Sequence, residues 1–355
     1  MTEQHKNTSL QSSFTEARDT AAALEERVSH LVDLSVQRLE GLGKIGQEFV
    51  TALNDSGVHI VCDENVQGRK AYYHSYLYPV GFQNYMKIGV AALDDDIAFM
   101  TDFIHEGVHA IQMANVAALH ACAGNDKSNI RLSPASQIHV MELMEADAYS
   151  KEAHLMHRFI ESLDAADRPG VIARANQSMR YDFLMQLKSL CDENYTRALF
   201  GFGMNILKQE FRNAPIRGID KYHNDFFMGH AVVTERELVE RDDIIFCRID
   251  EEDMKDIGNA FGPNLFMPNG QDVHDHYASP LPMLMEYEDE LERLSSRVGT
   301  DNEAALPTFS QCLAQQGLTK QDFLDQVEPV AADDLYLDTS DPAIPEPKIG
   351  DYKPL

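Results

Sequence analysis

The chain has 355 residues, of which 44% are hydrophobic, and only modest glycine and proline, so it is long enough to bury one large core or two smaller ones. Its 58 acidic and 30 basic residues give a formal net charge of -28. That balance excludes nucleic acid as a partner, since neutralising phosphates needs clustered lysine and arginine.

No apolar run approaches the roughly 18 residues of a membrane span, and the start Met1–Ser9 lacks the basic-then-apolar pattern of a signal peptide. A cytoplasmic setting without membrane contact is therefore expected. The five cysteines, Cys62, Cys122, Cys191, Cys247 and Cys312, are scattered and odd in number, which reads as reduced thiols and not as a disulfide framework or a metal knuckle.

Along the chain, leucine, valine and alanine recur at helical spacing from about Ser12 to Asn54 and break at Gly41-Leu42-Gly43. This predicts two helices, or one kinked helix, within a first segment of residues 1–57. Val58–Cys62 is a short apolar run, Arg69–Tyr78 is rich in tyrosine, and Tyr85–Ala91 is again apolar. These three read as strands of a small sheet. Asp94-Asp95-Asp96 then offers caps and dipole-matched charge for a helix that no proline interrupts from Ile97 to Asn115.

That helix carries His105-Glu106-Gly107-Val108-His109, the pattern of a zinc-peptidase helix. Residues four apart project from one helical face, so the two imidazoles can share an ion. Glu106 lies about 100° round, where its carboxylate can reach a metal-bound water as general base without entering the coordination shell. The uncharged flanks Ile104, Gly107, Val108 and Ala110 suit burial of this helix.

A third ligand is expected on the next helix, which Ser133-Pro134 begins as N-cap and first-turn proline and which runs to about Leu163. Glu142, Glu145, Tyr149 and Glu152 form one polar stripe on it. Such a stripe is equally the pattern of a solvated face. Ala146 and Ala148 favour Glu145 as the ligand, because small neighbours allow two helices to approach closely; Glu142 is the fallback. Asp147 is a candidate to orient a liganding histidine by accepting its free ring N–H.

Further helical patterns cover Arg174–Asn213, Asp220–Glu240, Pro280–Val298 and Thr308–Val330. From Ala331 onward acidic residues and repeated prolines predict an extended, disordered tail, 331–355. His223, His230, His274, His276, Tyr149 and Tyr222 are candidates to hydrogen-bond a tetrahedral intermediate, although nothing in the sequence fixes their distance to the motif. Gly201-Phe202-Gly203 lacks the lysine and hydroxyl of a phosphate loop.

His105-Glu-x-x-His109-Ala-x-Gln112, followed by Leu132-Ser-Pro134 and Met144-Glu-Ala-Asp-Ala148, resembles an uncharacterised bacterial metallopeptidase family and, more broadly, the gluzincins. The resemblance covers roughly residues 58–163. It implies zinc held by His105, His109 and Glu145, with Glu106 as catalytic base and a peptide or protein as substrate. It also implies that the strand just before the motif helix borders the cleft and pairs with an extended substrate.

The expected fold is α+β and predominantly helical: a helical segment 1–57, a zincin-like core 58–165 with a small sheet beside the motif helix, a helical region 166–330 and the tail. Two other functional classes remain open. One is a non-catalytic binding or regulatory protein on the same fold. The other is a di-iron helical oxidase, for which Glu106-x-x-His109 is half of the pattern, but no second Glu-x-x-His occurs. Oligomeric state is not legible.

Overall fold

The computed structural model describes residues 4–63, 71–78, 81–120, 129–179, 243–263 and 298–324, with 265, 292, 295 and 296. These residues are mostly helical. Two small sheets accompany them, one of three strands and one of two.

Helix α1 (Gln4–Glu40) and helix α2 (Lys44–Asp55) part at the expected glycines, and Gly43 turns the chain with φ 75°. Gly46 lets the two helices touch, for a Cβ there would stand 1.7 Å from Leu39 O. Phe49, Val50 and Leu53 recur on one face of α2 and are buried.

Strands β1 (His59–Asp63), β2 (Ala71–Tyr78) and β3 (Gly81–Gly89) form a sheet in the order β1-β3-β2. β1 pairs with β3 in parallel and β2 pairs with β3 antiparallel. The expectation for β3 needs correction. Both its edges are occupied, so the strand preceding the motif helix cannot pair with a substrate, and β2 is the edge strand on the helix side.

A short 3-10 turn (Val90–Asp94) leads to α3 (Asp96–His120), the motif helix. Asp95 Oδ1 accepts the amides of Ile97 at 2.9 Å and Ala98 at 3.0 Å, which satisfies two otherwise orphaned donors. Arg174 grips Asp95 and Asp96, and Arg38 also binds Asp96. Ile97, Phe99, Met100, Phe103, Ile104, Val108 and Ile111 are all buried, so α3 is apolar on nearly every side and sits inside the core. Its helical dihedrals lapse once, at Val116.

Helix α4 (Pro134–Ser162) starts as expected, with the Ser133 side chain accepting from Ser136 N at 3.1 Å and proline in the first turn. It packs against α3, burying Val140, Leu143, Ala146, Ala148, Leu155 and Met156. Helix α5 (Arg168–Met179) follows.

The remaining described residues close over this core. β4 (Ile130–Leu132) pairs in parallel with β5 (Ile245–Cys247); the reading of the core 58–165 did not anticipate β4, and the helical reading of 166–330 did not anticipate β5. Helix α6 (Glu251–Asn259), capped by Asp250, falls within the region expected to be helical, between the segments named there. The helical pattern from Thr308 resolves into α7 (Phe309–Gln315), opened by a Thr308–Gln311 capping box, and α8 (Lys320–Leu324), with Gly317 at φ 70° between them. No helix among the described residues is long and apolar enough to cross a membrane. Cys247 and Cys312 are buried free thiols.

Asp220–Glu240, Gly201–Gly203, the tail 331–355, Cys122, Cys191, Tyr222, His223, His230, His274 and His276 lie outside the described residues, as do most of Arg174–Asn213 and Pro280–Val298.

Candidate metal centre

His105 and His109 stand on the same face of α3 because four residues make little more than one turn. Their Nε2 atoms lie 3.2 Å apart. Glu145, projecting from α4, brings its Oε2 to 3.6 Å from His105 Nε2 and 3.5 Å from His109 Nε2. Four ligands on a zinc at about 2.0 to 2.2 Å would stand roughly 3.3 to 3.6 Å from one another by tetrahedral geometry. The three atoms therefore form one face of a tetrahedron of the right size, and the donor set of two imidazoles and a carboxylate suits zinc without being specific to it. Glu142 shares the helix, but its side chain lies outside the described residues.

The approach of α3 to its neighbours depends on two small surfaces. Ala146 and Ala148 flank Glu145 and are fully buried. On the opposite side of α3, Gly107 lies over α2, where an added Cβ would meet Phe49 Cζ at 3.0 Å and Leu53 Cδ1 at 3.3 Å. The glycine inside the motif thus sits where an added side chain would crowd Phe49 and Leu53 of α2.

Each imidazole is also held by its other nitrogen. His105 Nδ1 lies 3.0 Å from Glu152 Oε2, a buried carboxylate two turns beyond Glu145 on the same face of α4. The acceptor fixes the proton on Nδ1 and turns the Nε2 lone pair inward. The Tyr149 ring packs against His105 at 4.5 Å between centroids, so this candidate does reach the site.

His109 Nδ1 lies 2.9 Å from Gln112 Oε1. Here the expectation for Asp147 is corrected: its carboxylate does not receive the histidine N–H but binds Gln112 Nε2 at 2.8 Å, one step further out. Glu106 leans to the other side, and its Oε2 accepts the backbone N–H of Tyr73, on edge strand β2, at 2.7 Å.

The charges are matched within the cluster. Burial alone would push both imidazoles down, but Glu145 and Glu152 outweigh it for His105, and Glu145 does so for His109. Both end above the ordinary histidine value, His105 well above it. Glu145 is raised by burial and lowered more by the two imidazoles, ending well below the usual carboxylate range. Burial pushes Glu152 up despite His105.

Sequence reasoning named the three converging groups; it also named Glu152 in the polar stripe and Gln112 in the motif without giving either a role, and it missed the Tyr73 amide. The roles of Glu152 and Gln112 carried a signal. Seven residues from Glu145 to Glu152 repeat a helical face, and three residues from His109 to Gln112 make neighbours on α3. The amide of Tyr73 carried none, because only the fold brings β2 there. Comparison of the chain with family models, with curated proteins and with solved structures finds no match.

Proposed function

We propose that the protein is a zinc-dependent peptidase with a zincin-like core over residues 58–165, in which His105, His109 and Glu145 hold the metal and Glu106 is the general base. The observation that carries this reading is the convergence of His105 Nε2, His109 Nε2 and Glu145 Oε2 within 3.6 Å, with Glu106 held beside them and outside the ligand set. A bound zinc supplies Lewis acidity, polarising a carbonyl and lowering the pKa of water.

The chain's own groups supply the rest. Glu106 takes the proton from the attacking water and passes it to the leaving amine. The Tyr73 N–H occupies Oε2, so Oε1, which has no partner among the described residues, is the oxygen that carries the proton. Glu152 and Gln112 keep the imidazoles in place. Tyr149 walls the site on the His105 side. The substrate is a peptide or protein, and the setting is cytoplasmic.

The test compares wild type with Glu106→Gln for zinc content and for cleavage of a broad peptide library. Both should bind one zinc per chain. Cleavage should fall at least about a hundredfold in the variant, the lower end of what a positioned base contributes. Equal cleavage would remove Glu106 from its role. Zinc binding without any cleavage by wild type would favour the alternative, a non-catalytic binding or regulatory protein on this fold.

A further inference from the structure

Only one orientation of the Gln112 amide satisfies its surroundings. Its Nε2 lies 2.9 Å from Met144 O and 2.8 Å from Asp147 Oδ2. A carbonyl and a carboxylate only accept, so the NH2 group must face them. Oε1 is then turned towards His109 Nδ1, at 2.9 Å. An oxygen accepts, which places the single proton of the neutral, metal-binding ring on Nδ1 and leaves its Nε2 lone pair facing His105 and Glu145.

The amide is locked from behind. Lys151 Nζ sits 2.8 Å from the same Asp147 oxygen, one turn along α4, and both residues are buried. The ammonium keeps Asp147 an acceptor, and neither group has water to turn to instead. With the amide flipped, Oε1 would face a carbonyl and a carboxylate while its N–H groups met Nδ1. The His109 proton would move to Nε2, the position a cation needs.

We propose that Gln112, held by the buried Asp147–Lys151 pair, is the positioning residue that fixes the tautomer of His109 and so makes its Nε2 a metal ligand; this rests on the zinc-site reading above. The two histidines are then oriented differently, His105 by a carboxylate and His109 by a neutral amide backed by an ion pair. Gln112 keeps the charge of Asp147 one residue away from the imidazole.

Zinc affinity by chelator competition and the melting temperature of the metal-free protein separate this role from plain packing. Gln112→Met keeps the length of the side chain and deletes the hydrogen bonds; it should weaken zinc binding about 10- to 100-fold, the usual effect of losing such a partner. Gln112→Glu, protonated against Asp147, still offers an oxygen to Nδ1 and should stay within about threefold of wild type. A folded Gln112→Met with unchanged affinity and only a lower melting temperature would overturn the proposal.

Should that variant fail to fold, nitrogen-15 spectra of zinc-loaded wild type decide. An exchange-protected proton on His109 Nδ1 is expected, and its absence would refute the assignment. Wild type that takes up no zinc would instead overturn the metal-site reading, and this proposal with it.

Discussion

Adding one methyl group at Gly107 tests whether the ligand-bearing helix is held from behind. Gly107 faces α2, roughly 200° round the helix from His105, and a Cβ there would stand 3.0 Å from Phe49 Cζ and 3.3 and 3.6 Å from the Leu53 methyls. Carbon atoms at rest stand about 3.5 to 4.0 Å apart, so either the Phe49 and Leu53 side chains give by a few tenths of an ångström or α2 and α3 part by as much. Overpacking of this kind costs about 1 to 3 kcal/mol. Alanine regains about 1 kcal/mol over glycine in a helix interior. Gly107→Ala should therefore be destabilised by ~0 to 2 kcal/mol in denaturant unfolding of the metal-free protein. Gly107→Val adds further methyls without that gain and should lose more. Where α3 yields and not the side chains of α2, His105 and His109 are pushed towards Glu145, and zinc affinity by chelator competition should weaken in the same order. A Gly107→Ala protein more stable than wild type by about 1 kcal/mol, the propensity gain alone, would refute the claim that this contact is tight.

Zinc binding should release protons and weaken as the pH falls through the raised values of His105 and His109, because the ion must displace the protons those nitrogens hold. In the metal-free protein the sign is opposite: the stability these histidines contribute is complete below the ordinary value of 6.5 and is lost as the pH rises through their raised values. Calorimetry in two buffers of different ionisation enthalpy checks the first statement, and equal heats at neutral pH would contradict it. Asp95, held at about 2 chiefly by its hydrogen bond to Arg174, contributes stability that is present above 3.8 and lost as the pH falls through about 2. Arg174→Ala should shift the acid-unfolding midpoint upward while costing only ~0 to 1 kcal/mol at neutral pH, since the pair is partly exposed, and circular dichroism along an acid titration would show an unmoved midpoint if the bridge is idle.

What was legible in the sequence is what local chemistry dictates. The break at Gly41–Gly43, the Asp95 cap, the Ser133-Pro134 start of α4 and the shared face of His105 and His109 all depend on residues within a turn or two of one another. Glu145 was also reachable, because the small residues beside it announce a close helix contact. Strand order was not. β1, β2 and β3 were each visible as apolar or tyrosine-rich runs, but nothing in them says that β3 lies between the other two. β4 and β5 have three residues each, too short for a periodic signal to rise above the surrounding chain. Asp147 was misassigned for a related reason: two residues from Glu145, it lies about 200° round α4, and only packing shows that Gln112 stands between it and His109.

The pairing of β4 with β5 also bears on the order in which the molecule assembles. The hydrogen bonds described at the candidate metal centre join residues at most 47 apart in the chain, the longest being His105 to Glu152. By contrast, Cys247 meets Arg131 across 116 residues, and Glu303 meets Ser133 across 170. A chain emerging from the ribosome amino end first presents both ligand helices long before β5 exists, and domains form in that order during synthesis. Short loops close at lower entropic cost than long ones, so the ligand cluster belongs to the early, local part of folding and the β4–β5 seam to the late part. If the cluster binds an ion as proposed, a nascent chain could take it up before its carboxy-terminal third is in place, and the ion would then serve as a nucleus around which the remainder settles.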